Sequence, residues 1–173
     1  MIYRPFNYTP GHQYRTLLFV YAGPRAQLVT NAHKIGKLSR LNILALLNYC
    51  VVVVDSRGSA NRGLAFEAHL KHRMGTVEIS DQVQGLQAAS KRFGCVDMNR
   101  VAIFGWSYGG YMALMGLAQR PDVFKVAVSG APVTSWELYD TAYTERYMGL
   151  PQVNAEGYGR GSVINMAGRF PDE

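Results

Sequence analysis

Gly105-Trp106-Ser107-Tyr108-Gly109-Gly110 is the stretch from which the rest of this 173-residue chain is read. It follows a short apolar run, Val101-Ala102-Ile103-Phe104, and precedes a helix-like run from Tyr111 to Gln119. Strand, sharp turn and helix are the context in which G-x-S-x-G acts as a nucleophile elbow. Such a turn puts its serine in a strained backbone conformation. Small residues at Gly105 and Gly109 let strand and helix approach closely. The Ser107 hydroxyl is thereby lifted out of the sheet, and the helix N-terminus behind it favours developing negative charge. A glycine-rich turn without chemistry is the competing reading.

Outward from the elbow, strands alternate with helices. Thr16 to Tyr21 is continuous, apolar and ended by Gly23-Pro24, which predicts a buried strand. Met1 to Arg15 reads as an edge segment and a loop. Leu38 to Tyr49 follows a helical period, and Cys50-Val51-Val52-Val53-Val54-Asp55 is a strand with no alternation, so both its faces should be covered. Leu64 to Arg73 is compatible with a short helix. Thr76 to Phe93 is a longer one, capped by Thr76 and stopped by Gly94. Arg100 to Phe104 leads into the elbow, whose helix should end near Arg120-Pro121. Phe124 to Ser129 is the fourth strand, Trp136 to Tyr147 is compatible with helix, and Gly149 to Glu173 reads as loop. The expected class is α/β: a mostly parallel sheet with helices on both faces.

Hydrophobic residues make up 48% and charged residues 17%, as in a globular domain. The net charge of +6 is scattered, without a run of five or six, so no nucleic-acid partner is expected. Two cysteines, Cys50 and Cys95, make no disulfide framework and point to a reducing compartment. Met1 to Pro10 does not read as a signal peptide, and no apolar run is long enough to span a membrane, so a cytoplasmic protein is expected. Neither a cofactor nor a metal is expected.

A serine hydroxyl needs a base, usually histidine, and an acid to orient it. In this fold the chain order is Ser, then Asp or Glu, then His. The four histidines, His12, His33, His69 and His72, all precede Ser107. The carboxylates after it (Asp122, Glu137, Asp140, Glu145, Glu156, Asp172 and Glu173) follow no fifth strand. His69 and His72 read as surface residues beside Lys71 and Arg73. The expectation is therefore an incomplete chain. One oxyanion donor should be the backbone N–H of Tyr108. The other should come from the loop at Tyr21-Ala22-Gly23-Pro24, where Tyr21 either offers its hydroxyl or packs as a strand-end aromatic; spacing does not separate the two. Trp136, Tyr139, Tyr143 and Tyr147, spaced 3, 4 and 4, would share one face of a helix. On spacing alone that stripe fills the core rather than lining a pocket.

These residues resemble a known family. Gly105 to Gly110 resembles the nucleophile elbow of the prolyl oligopeptidase family, in its dipeptidyl peptidase IV branch. Asp55-Ser56-Arg57-Gly58-Ser59, Ala131-Pro132-Val133 with Trp136, and Tyr143-Thr144-Glu145-Arg146-Tyr147-Met148-Gly149-Leu150-Pro151 resemble further segments of that branch. Met74 to Val83 and Gln27-Leu28-Val29 look most like its cytosolic dipeptidyl peptidase 8 and 9 group. The resemblance implies a partial α/β-hydrolase fold and release of N-terminal dipeptides after proline or alanine through an acyl-enzyme on Ser107. It implies Tyr21 and Tyr108 as oxyanion donors, and a proline pocket lined by Tyr108, Val133, Trp136, Tyr139 and Tyr143, which reverses the preference for core filling. It also implies homodimers of the full-length protein. Residues 1–173 would be the central part of one peptidase domain, without the family's β-propeller and its C-terminal Asp and His segment. The alternative is a non-catalytic truncated α/β module that acts, if at all, as a binding partner.

Overall fold

Val51, Val52 and Val53 are all buried, as a strand without polar alternation requires. They lie in or beside β3 (Cys50–Val52), inside a five-stranded sheet. The computed structural model describes residues 1–32 and 39–171. The other strands are β1 (Ile2–Tyr3), β2 (Tyr14–Val20), β4 (Val96–Trp106) and β5 (Phe124–Gly130), and the order across the sheet is β1-β3-β2-β4-β5. Among the described residues only the short edge strand β1 runs antiparallel, against β3, and the remaining pairs are parallel. β4 is longer than the expected 100–104 because it begins at Val96, opposite Tyr14.

Alternate residues serve opposite faces. Leu18, Val20, Val52 and Ile103 join one core cluster, with side chains of α3 (Val77–Phe93) and α4 (Tyr108–Gln119). Leu17, Val51 and Val53 join the other, with Leu41 of α1 (Ser39–Leu46). The expected start of α1 at Leu38 lies outside the described residues. Helices therefore stand on both faces, but the cover is uneven. Val126 and Val128 of β5 are 55% and 51% exposed, and they border an apolar groove of about 520 Å³ with Leu17, Leu44 and Ala102.

Several helix expectations need correction. Over 64–73 there is one turn of α2 (Leu64–Glu67) and one of 3-10 helix (Ala68–Leu70), and the chain then turns through a positive φ at His72. Thr76 does not cap α3: its hydroxyl donates to the carbonyl of Arg73 at 2.6 Å. The carboxylate of Glu78 takes that role, accepting from the N–H of Gly75 at 2.9 Å and of Thr76 at 2.8 Å. Gly94 does end α3, in the left-handed region at φ 70. The stretch 136–147 is not one helix. A 3-10 turn (Trp136–Leu138) breaks at Tyr139, and α5 (Thr141–Met148) starts afresh behind Asp140, whose carboxylate accepts the Tyr143 N–H at 2.8 Å. The stretch after Gly149 is not all loop. It holds α6 (Ala155–Arg160), capped by Asn154, and a 3-10 run (Ile164–Arg169).

Candidate active site

Ser107 stands between β4 and α4 with φ 57 and ψ −119, a conformation that a non-glycine residue keeps only when its surroundings force it. Three contacts do so. The Ser107 N–H donates to the carbonyl of Gly130 at the end of β5, at 2.9 Å. Its carbonyl accepts the Tyr111 N–H at 3.0 Å, which closes the first turn of α4. The third is steric: a Cβ on Gly105 would overlap the carbonyl of Gly109, and one on Gly109 would overlap the carbonyl of Val20. The serine is half-buried and lines a cleft of about 760 Å³ together with Phe19, Tyr21, Leu28, Phe104 and Trp106. Trp106 is 61% exposed at its rim.

Tyr21 follows β2 and leans on the ring of Tyr108, with centroids 6.2 Å apart. Its loop turns sharply, with Ala22 at φ 59. A Cβ on Gly23 would stand 2.7 Å from the Tyr21 ring and 3.1 Å from that of Tyr108. Burial, and then Tyr139, push the Tyr21 hydroxyl above its usual pKa, so at neutral pH it is a proton-bearing donor.

Although no single helix carries them, the aromatic residues come together. Tyr108 lies 5.5 Å from Trp136, which stacks on Tyr143 at 6.0 Å and 21°. Tyr139 meets both Trp136 and Tyr143 edge-on. Val133 is half-buried against the core cluster that includes Tyr108 and Trp136. The rings thus run from the serine's neighbour into the core. Trp136 is only 1% exposed and belongs to the core, whereas Tyr139 is 44% exposed. Trp136 therefore fits the core-filling reading of the stripe.

Glu78 is the residue that sequence reasoning passed over. It is fully buried, and beyond its two backbone bonds its Oε1 accepts the Tyr108 hydroxyl at 2.6 Å. Burial pushes its carboxyl upward, against the pull of the Tyr108 hydroxyl and of the Gly75 and Thr76 N–H groups. Tyr108 is itself pushed well above the usual phenol range, by burial and then by Glu78. The available signal was an acidic residue just after Gly75-Thr76, in a first helical turn.

The histidines sit elsewhere in the network. His72 places Nδ1 2.9 Å from the carbonyl of Met148, His12 packs edge-on against Tyr14, and His33 lies outside the described residues. Of the later carboxylates, Asp122 pairs with Arg120 at 2.6 Å, Asp140 caps α5, and Glu156 approaches Arg160 at 3.5 Å. Asp172 and Glu173 lie outside the described residues. Among the described residues no three His, Cys, Asp or Glu side chains cluster in an arrangement that holds a metal ion, and no helix is long and apolar enough to cross a membrane.

Comparison with known proteins gives the family and the fold. Dipeptidyl peptidase 8 of Homo sapiens is 56% identical over 173 residues, all of this chain and 19% of that protein. Dipeptidyl peptidase 8 of Mus musculus is 55% identical over the same span. The chain thus spans about a fifth of the length of these relatives. The solved structure of a candidate dipeptidyl aminopeptidase IV from Bacteroides ovatus superimposes with a TM-score of 0.92 at 38% identity, over 98% of this chain and 24% of that one. The fold is accordingly part of an α/β hydrolase. A model of the prolyl oligopeptidase family matches residues 37–170, and the chain belongs to that family.

Proposed function

We propose that residues 1–173 are the central part of one peptidase domain in a longer serine-type dipeptidyl peptidase, with Ser107 as its nucleophile. The observation that carries this reading is the Ser107 turn, held at φ 57 on the wall of the cleft. The hydroxyl attacks the carbonyl of the second residue of a peptide, and its proton passes to a histidine supplied from outside this segment. The tetrahedral oxyanion lies between the Tyr108 N–H and the Tyr21 hydroxyl. The amine departs with that proton, and water then hydrolyses the acyl-enzyme. Tyr108, Val133, Trp136, Tyr139 and Tyr143 line an apolar pocket suited to the flat ring of proline, with Trp136 as its buried backing and alanine also accepted. The relatives' name, dipeptidyl peptidase, supports the length of the product. Free, buried Cys50 and Cys95 support a cytoplasmic setting.

The test is to treat the full-length protein with a fluorophosphonate and to assay it on fluorogenic dipeptides ending in proline or alanine. Labelling and hydrolysis that vanish together in Ser107→Ala support the reading. Labelling that survives the substitution, or a wild type that hydrolyses neither dipeptide, overturns it.

A further inference from the structure

Tyr108 has two parts with separate anchors. Its backbone belongs to the first turn of α4, set by the Ser107 and Tyr111 bonds already described. Its ring is held at the far end by Glu78, through the 2.6 Å bond from the hydroxyl. Glu78 does not follow the ring, because Gly75 and Thr76 fix its two oxygens from a helix start 30 positions upstream. The neighbouring ring, Tyr111, has its shorter anchor elsewhere: its hydroxyl donates to the carbonyl of Gly161 at 2.9 Å, and at 3.3 Å to that of Met74, in the peptide that also carries the Gly75 N–H. The position of the Tyr108 ring, between Tyr21 at 6.2 Å and Trp136 at 5.5 Å, is therefore referred to Glu78.

Resting on the reading of Ser107 and Tyr108 given above, we propose that Glu78 is a specificity-determining positioning residue: by holding the Tyr108 hydroxyl it fixes one wall of the proline-sized pocket, without itself touching substrate. A proline ring needs that wall in place, and an alanine methyl fills less of the pocket and needs it less. A hydrophobic pocket discriminates by about tenfold or more for each methylene it fits or fails to fit. Of the two oxyanion donors, the Tyr108 N–H is backbone and does not depend on the clamp, while Tyr21 meets the clamped ring only through a ring contact at 6.2 Å.

The experiment compares wild type, Tyr108→Phe, Glu78→Gln and Tyr111→Phe in the full-length protein. Tyr111→Phe also deletes a buried hydroxyl, but one bonded to Gly161 and Met74 rather than to Glu78. Two quantities are read: the ratio of kcat/KM for a dipeptide ending in proline to that for one ending in alanine, and the rate at which a small fluorophosphonate labels Ser107. The expected result is a proline-to-alanine ratio lowered about tenfold in both Tyr108→Phe and Glu78→Gln. In both variants the ratio should fall further than the labelling rate does, and Tyr111→Phe should keep the wild-type ratio. Should Glu78→Gln fail to fold, Tyr108→Phe decides. A parallel fall of labelling and both substrates, an unchanged ratio, or an equal shift in Tyr111→Phe overturns the proposal. A wild type that is not labelled overturns the nucleophile reading, and this inference with it.

Discussion

The α-carbon of Gly109 sits so close to the carbonyl oxygen of Val20 that a methyl group on it would overlap that oxygen. The helix behind the serine and the strand that leads to Tyr21 are thus pressed together at one point. Gly109→Ala is expected to lose about 1–3 kcal/mol of stability or more, because the clash is with backbone and not with a movable side chain. Gly168→Ala, where nothing lies within 4 Å, should cost within about 0.5 kcal/mol. Thermal unfolding of the two variants checks the contrast.

Tyr21→Phe keeps the ring against Tyr108 and removes only the hydroxyl. If that hydroxyl binds the oxyanion, kcat falls by about 10²–10³ with KM little changed. A steady-state comparison on one dipeptide substrate measures it. A loss confined to KM would return Tyr21 to the role of a packing aromatic.

Trp136 and Tyr139 separate stability from binding within one cluster. Trp136→Ala empties a buried site and should cost about 3–5 kcal/mol. Tyr139→Ala touches an exposed ring, so it should leave the melting temperature nearly unchanged while raising KM for substrates ending in proline. Melting curves and KM values together test this pair.

Two acids of α3, buried Glu78 and half-buried Asp81, give opposite pH signs. Burial raises the Asp81 carboxyl, but the Arg57 side chain at 2.6 Å and its N–H at 2.8 Å outweigh this and hold the group below its usual pKa. A depressed native pKa stabilises above the unfolded value of about 3.9, and that stability is lost as pH falls through the native value. Asp81→Asn should therefore cost roughly 1–2 kcal/mol at pH 7 and progressively less in acid. Glu78 is raised by burial, so the native state holds its proton longer than the unfolded chain does. The advantage of wild type over Glu78→Gln should shrink as pH rises from about 4.3 through the native value. Denaturant melts of wild type, Asp81→Asn and Glu78→Gln at several pH values read both slopes.

Those two acids also mark where the sequence stops being legible. The strands and the elbow were readable because their signals are local: a valine run in β3, and glycines around one serine. The break inside 136–147 was not, because Asp140 restarts a helix within a spacing that already satisfied a helical period. The glycines at 157 and 159 hid α6. The burial of Glu78 depends on Tyr108, 30 residues further on, and no window around Glu78 contains that partner.

The bond from Ser107 to Gly130 carries a consequence for the order of events during synthesis. The serine's backbone is held from β5, and a Cβ on Gly110 would likewise overlap the carbonyl of Gly130. A nascent chain that has left the ribosome only as far as Gln119 carries the serine and its glycines but not the strand that sets their shape. Ribosome-bound chains arrested before Gly130 should leave Ser107 in an ordinary, unstrained turn. The Ser107 turn then takes its strained shape only once β5 has joined the sheet.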